Sequence, residues 1–155
     1  MKKSLVVYYS HSGITRKLAN KIIALVGADS YEVKPIDPYP KDVFAVIDIF
    51  KKELQQNLRR PIEKLNINVE EYDTIYIGTP NWGNTVATPL LDFFSAVNIH
   101  DKKIIPFVTH GGGGVGNCAR DIVKLANAKQ NVTPLVVGSR GISDDEIENW
   151  LQQVK

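Results

Sequence analysis

Short β-rich apolar runs alternate with stretches of helical period along all 155 residues, and few folds accommodate that alternation. Leu5-Val6-Val7-Tyr8-Tyr9 is a continuous run of the kind buried on both faces of a parallel sheet. Residues 14–26 then carry Leu18, Ile22, Leu25 and Val26 at helical spacing. A short strand over 31–34 is stopped by Pro35. Beyond the turn-rich Asp37-Pro38-Tyr39-Pro40, apolar residues recur at Val43, Ile47, Phe50, Leu54 and Leu58, which predicts a long helix with that stripe as its buried face. The third strand is Thr74-Ile75-Tyr76-Ile77-Gly78, followed by a loop over 79–88 and a helix started by Thr88-Pro89. A fourth strand over 104–109 leads into Gly111 to Gly114 and a helix to about residue 128. The fifth strand is expected over 132–138. Ser143-Asp144-Asp145-Glu146 then reads as a capping box, with Ile147, Trp150, Leu151 and Val154 facing the core.

Strand-helix alternation implies a doubly wound α/β domain with helices on both faces of a five-stranded parallel sheet. Pro35 and Pro134 disfavour central positions for strands 2 and 5, which gives the order 2-1-3-4-5. No repeat or linker interrupts the chain, so one domain is expected over 1–155. In such sheets ligands bind at the carboxyl ends of the strands, near the switch point. Here that rule selects the loops at 10–15, 79–88 and 109–117.

Charge and cysteine content narrow the partners. Nineteen basic residues oppose seventeen acidic ones, a net charge of +2 that excludes a polybasic nucleic-acid arm and an acidic disordered tail. The distribution is uneven, +5 over residues 1–69 and −3 over 70–155. Cys118 is the one cysteine, which excludes an intramolecular disulfide and fits a reducing compartment. Met1-Lys2-Lys3-Ser4 imitates the start of a secretion signal, but the apolar stretch at 5–9 is shorter than the ~7–15 residues such a signal needs. A cytoplasmic protein, bound to neither membrane nor nucleic acid, is expected.

Each selected loop has unusual chemistry. Ser10-His11-Ser12-Gly13-Ile14-Thr15 places three hydroxyls and a glycine at a helix N-terminus, where free N–H groups and the helix dipole favour an anion. It lacks the Gly-Lys-Ser/Thr ending of a nucleotide-triphosphate loop, and a plain Ser/Thr-rich helix cap would use the same residues. In Thr79-Pro80-Asn81-Trp82-Gly83-Asn84-Thr85 an indole lies off any periodic face, offering a planar ligand a stacking surface or packing locally over its loop. Thr109-His110-Gly111-Gly112-Gly113-Gly114-Val115-Gly116-Asn117 fits a glycine-rich dinucleotide spacing. It lies in the fourth unit, however, and the following strand offers no acid for a ribose. Bare backbone there permits close approach by a flat ring, or a flexible surface loop.

Taken in order, these three segments resemble the flavodoxin family, specifically its short-chain members with a Ser-x-Ser-Gly-x-Thr loop. The likeness spans essentially the whole chain. It implies a flavodoxin-like fold and a noncovalently bound FMN. Its phosphate would rest on Ser10, Ser12, Gly13, Ile14 and Thr15, with His11 also counted among the cofactor-binding residues. The isoalloxazine would lie between Thr79, Pro80, Asn81, Trp82, Gly83, Asn84 and Thr85 on one side and Thr109, His110, Gly111, Gly112, Gly113 and Gly114 on the other. The family also implies electron transport by the flavin itself, so neither a catalytic acid-base residue nor a metal ligand is assigned. Redox partner proteins and a monomer or weak dimer are expected. Two features depart from many flavodoxins: the 109–117 loop has no aromatic, and few carboxylates surround the expected site.

An FMN-dependent NAD(P)H:quinone-type oxidoreductase is the alternative. A phosphoacceptor receiver, which shares the topology, would need acids where Ser10 and Thr79 stand. Cys118 reads as a helix-packing thiol, His100 as a turn residue, and Lys51-Lys52 with Arg59-Arg60 as the outer face and end of the second helix.

Overall fold

In the computed structural model, residues 3–129 and 132–154 are described; Met1 and Lys2, half of the signal-like start, lie outside them. The strands are β1 (Ser4–Tyr8), β2 (Asp29–Glu32), β3 (Thr74–Pro80), β4 (Lys103–Thr109) and β5 (Leu135–Val137). All pair in parallel in the order β2-β1-β3-β4-β5. Helices α1 (Ile14–Val26), α2 (Val43–Gln56), α3 (Pro89–Ala96), α4 (Cys118–Ala126) and α5 (Asp144–Val154) cover its two faces. No helix among the described residues is long and apolar enough to cross a membrane.

The period-two alternation of side chains sorts the core into two layers. Leu5, Val7, Ile75 and Ile77 join α2, α3 and α4 through Phe50, Phe93 and Ile122. Val6, Tyr8, Tyr76 and Phe107 join α1 and α5 through Leu18, Ile22, Ile147 and Trp150. Each fully buried aliphatic or Phe side chain contributes about 1.5–3 kcal/mol. The strands lie so close at Gly78 that a Cβ there would sit 2.1 Å from the Phe107 ring. The capping box of α5 forms reciprocally, Ser143 N–H to Glu146 Oε1 at 3.3 Å and Glu146 N–H to Ser143 Oγ at 3.2 Å.

Several expectations are corrected. The second strand begins earlier, at Asp29, and Pro35 instead forms an isolated antiparallel bridge with Ile62. β5 starts at Leu135, after Pro134 rather than around it. Pro106 does occupy the interior strand β4; β5 pairs with that strand only from Phe107 onward, so the proline falls outside that ladder. Thr88 precedes α3 without a side-chain cap. The largest correction concerns α2, which buries Val46, Phe50 and Glu53, while Val43, Leu54 and Leu58 stay exposed. This rotation seats Glu53 inside, keeps Phe50 in the core and Ile47 half-buried, and turns Val43 and Ile47 toward the carboxyl-edge cleft.

Candidate functional site

The carboxyl edge carries one cleft of about 800 Å³. The three expected loops meet there, joined by the N-terminal half of α2 and the segment after β5. Its charged lining residues are Lys17, Lys21 and Arg140, with no Asp or Glu.

The 10–15 loop turns into α1 at Gly13, whose φ of 97° favours glycine. Ser10 is buried, and its Oγ accepts the Gly13 N–H at 3.1 Å. The N–H groups of Ser12, Ile14, Thr15 and Arg16 find no partner among the described residues. They therefore form an open donor set at the positive end of a 13-residue helix. Thr15 is buried with its Oγ1 2.8 Å from Thr109 Oγ1, which ties the first loop to the third. Arg16 turns away to a bidentate pair with Glu32, at 3.1 and 2.5 Å. His11 Nε2–H donates to the Pro40 carbonyl at 2.8 Å.

The 79–85 loop is held by its own polar groups. Asn81 N–H reaches the Thr109 carbonyl at 2.8 Å, and its side-chain amide accepts from Asn84 N–H and donates to the Gly114 carbonyl, both at 2.9 Å. Trp82 and Thr85 exchange backbone bonds at 3.1 and 3.3 Å around Gly83 and Asn84, both with positive φ. Two left-handed residues are what a tight hairpin of this twist demands, hence Gly-Asn. The Thr79 hydroxyl donates to the Pro80 carbonyl and accepts the Ala87 N–H, and Thr85 Oγ1 donates to Asp121. Those two hydroxyls shape the loop rather than line the cleft.

Trp82 does line the cleft, half-buried, with Phe50 stacked on it at 5.4 Å and 23°. Tyr9 and Tyr39 meet the indole edgewise, at 5.4 and 5.0 Å. Behind them, Tyr39 O–H donates to buried Glu53 at 2.5 Å, and Arg60 Nε donates to the same carboxylate at 2.9 Å. The Arg60 guanidinium lies 3.9 Å over the Tyr39 ring. Burial, reinforced by Glu53, pushes the Tyr39 phenol upward, so it stays a neutral donor. Arg60 is thus an inner brace of the indole, not the outward helix end that its sequence position suggested.

Facing this loop, Gly111, Gly112 and Gly114 have open space wherever a Cβ would stand. His110 lines the cleft but leans on Gly138, its Nδ1 accepting Gly112 N–H at 3.0 Å. Gly113, with Asn84 and Gly83, edges a smaller adjoining recess of about 320 Å³. Gly116 is constrained differently: a Cβ there would sit 2.8 Å from Asn84 Oδ1 and 3.0 Å from Asn84 Cα. Cys118 is fully buried, its thiol donating to the Thr85 carbonyl and pushed by burial up to about 12. It packs the helix. Among the described residues no three His, Cys, Asp or Glu side chains gather around a common point.

Sequence reasoning missed the cradle of Tyr9, Tyr39 and Phe50, the Glu53–Arg60 pair and the loop over 138–142. Only the last had a signal, since the carboxyl-edge rule extends to β5.

Residues 3–154 match the family model for flavodoxin. The chain is similar to a candidate flavoprotein from Bacteroides eggerthii DSM 20697, at 25% identity and a TM-score of 0.82 over 99% of this chain and 98% of that one. It is also similar to a flavoprotein from Lactobacillus acidophilus NCFM solved in complex with FMN, at 28% identity, TM-score 0.75, over 97% and 99% of the two chains. A flavodoxin from the domain Archaea shares the fold at 16% identity and TM-score 0.60, over 97% and 92%. No curated protein sequence matches the chain significantly. A five-stranded sheet in the order 2-1-3-4-5, an open helix N-terminus after β1 and a family match over nearly the whole length agree: the chain belongs to the flavodoxin family.

Proposed function

We propose that this protein binds FMN noncovalently in the carboxyl-edge cleft and carries one or two electrons between redox partners. The observation that carries the proposal is the set of unpartnered N–H groups at Ser12, Ile14, Thr15 and Arg16, beside a braced indole in the same cleft. The residues present fit the group. A phosphate dianion finds donors and no carboxylate in the cleft lining, Glu32 being neutralised by Arg16, and a flat ring finds Trp82 on one side and His110 with bare glycine backbone on the other. When bound, FMN supplies the electron chemistry. Ser12 and Thr15 add hydroxyls to the phosphate cradle, and the Thr15–Thr109 bond fixes the spacing between cradle and ring loops. Trp82 orients the ring, held by Phe50, Tyr9 and Tyr39. No side chain is assigned a proton-transfer step.

The likeness to the FMN-bound Lactobacillus acidophilus protein supports the choice of cofactor. The visible spectrum of purified protein during stepwise reduction tests the reading. A flavin spectrum that bleaches reversibly is expected; colourless protein that acquires no colour with FMN would overturn it.

One observation favours an FMN-dependent NAD(P)H oxidoreductase as the second reading. The cleft continues past the flavin loops to Lys17, Arg140 and Lys21, the last paired with Asp144 at 3.5 Å, and Lys17 and Arg140 offer charge to a second phosphorylated ligand. Oxidation of NADH or NADPH by holoprotein separates the two.

A further inference from the structure

Of the α2 stripe that the sequence marks for burial, Phe50 is buried and Ile47 half-buried, while Val43, Leu54 and Leu58 stay open, and the stripe adjoins the cleft. Val43 and Ile47 line the cleft wall, Leu54 lies where a Gly83 Cβ would approach it to 3.4 Å, and Phe44 extends the patch outward. Their exposures are 55% for Val43, 74% for Phe44 and 42% for Leu54, with Ile14 across the cleft at 63%. Val43 to Leu54 spans about 16 Å of helix, longer than a small ligand covers. Contiguous exposed apolar surface of this kind marks an interaction site.

Charge identifies the occupant. At about 100° per residue, Lys51 lies roughly 60° from the centre of the stripe, whereas Asp48 lies roughly 120° away. Of the other α2 acids, Asp42 caps the helix through Ala45 N–H and Glu53 is buried against Tyr39 and Arg60. Lys41 is exposed two residues before the cleft-lining Val43, and Lys17 lines the cleft. A second copy docking by two-fold symmetry would bring the same cationic edge to both sides of the interface. An acidic partner would not.

We infer that the α2 stripe, with Lys41 and Lys51, is the docking surface for an acidic redox protein that exchanges electrons with the flavin. This rests on the carrier reading and specifies its partner. Docking holds the partner's redox centre at the flavin edge, and complementary charge raises the encounter rate at low salt.

The test mixes fully reduced, FMN-loaded protein with electron acceptors in a stopped-flow instrument. Each reduced flavin gives two electrons, one to each of two ferricyanide ions, and releases its protons to solvent. Ferricyanide oxidation is expected to slow as salt rises, and oxidation by cationic tris(phenanthroline)cobalt(III) to quicken. The double variant K41E/K51E should slow ferricyanide by about tenfold at low salt. K124E/K129E, the same change in net charge placed on and just after the last turn of α4, should slow it less than twofold. Acidic cytochrome b5 should be reduced faster than basic cytochrome c at low salt, and F44S should slow cytochrome b5 while leaving ferricyanide unchanged. Equal effects of the two double variants, or faster reduction of cytochrome c, would overturn the inference. So would a dimer in sedimentation equilibrium that F44S dissociates, which would assign the stripe to a second copy. Failure of the carrier reading shows earlier and differently, as protein that holds no flavin before any acceptor is added.

Discussion

The 79–85 loop meets the cleft with an indole braced by Phe50, Tyr9 and Tyr39. The 109–114 loop meets it with Thr109, His110 and bare glycine backbone, its Gly111, Gly112 and Gly114 having nothing within 4 Å of where a Cβ would stand. One wall is therefore assembled before a ligand arrives, and its cost of ordering falls on folding. The other is held by backbone and amide hydrogen bonds, Asn81 to the Gly114 carbonyl among them, and presents few side chains to a ligand. The comparison predicts that substitutions in the braced wall cost stability, whereas substitutions in the bare wall alter ligand affinity alone.

The largest effect is expected at the back of the brace. Glu53→Ala removes the carboxylate between the Tyr39 hydroxyl and Arg60, leaving the guanidinium with Asp37 alone and the phenol without its acceptor, and should cost about 3 kcal/mol in urea unfolding. A loss below about 1 kcal/mol would mean the pair is dispensable and the indole positioned by packing alone. Trp82→Ala comes next. It should weaken FMN binding by about thirtyfold, equivalent to about 2 kcal/mol, read by flavin fluorescence quenching. Unchanged affinity would move the ring away from the indole.

Gly116→Val tests where the two walls touch. At φ +52° and with Asn84 in the way, it should cost about 1–2 kcal/mol of stability, measured by thermal unfolding. The smallest effect belongs to Gly111→Ala, where nothing stands within 4 Å. Its unfolding free energy should stay within about 0.5 kcal/mol of the parent, while FMN affinity falls as the added methyl meets the ring. Destabilisation by Gly111→Ala would remove the contrast between the walls.

Much of this was legible in the sequence, for physical reasons that also explain the failures. The β1 run, the Ile14–Val26 helix and the capping box at Ser143 are set by local period and local hydrogen bonding, and each stands where expected. Strand order was also correct, although Pro134 precedes β5 rather than lying in it. The α2 stripe misled because period reports which residues share a face, not which face the fold covers. Glu53 decided the rotation through Tyr39 and Arg60, partners fourteen and seven residues away, in a contact no local pattern encodes. At the site, the free donors after β1 followed from the Ser10–Thr15 motif. The cradle behind Trp82 did not, because Tyr9, Tyr39 and Phe50 come from three separate segments and look like ordinary core residues in the chain.

These two unlike walls and the donor set at Ser12–Arg16 are expected to hold one FMN. Titrating FMN with increasing protein, and following flavin fluorescence, tests it most directly. Quenching that saturates at one flavin per chain is expected. Flavin fluorescence that stays at its free value through an excess of protein would contradict it.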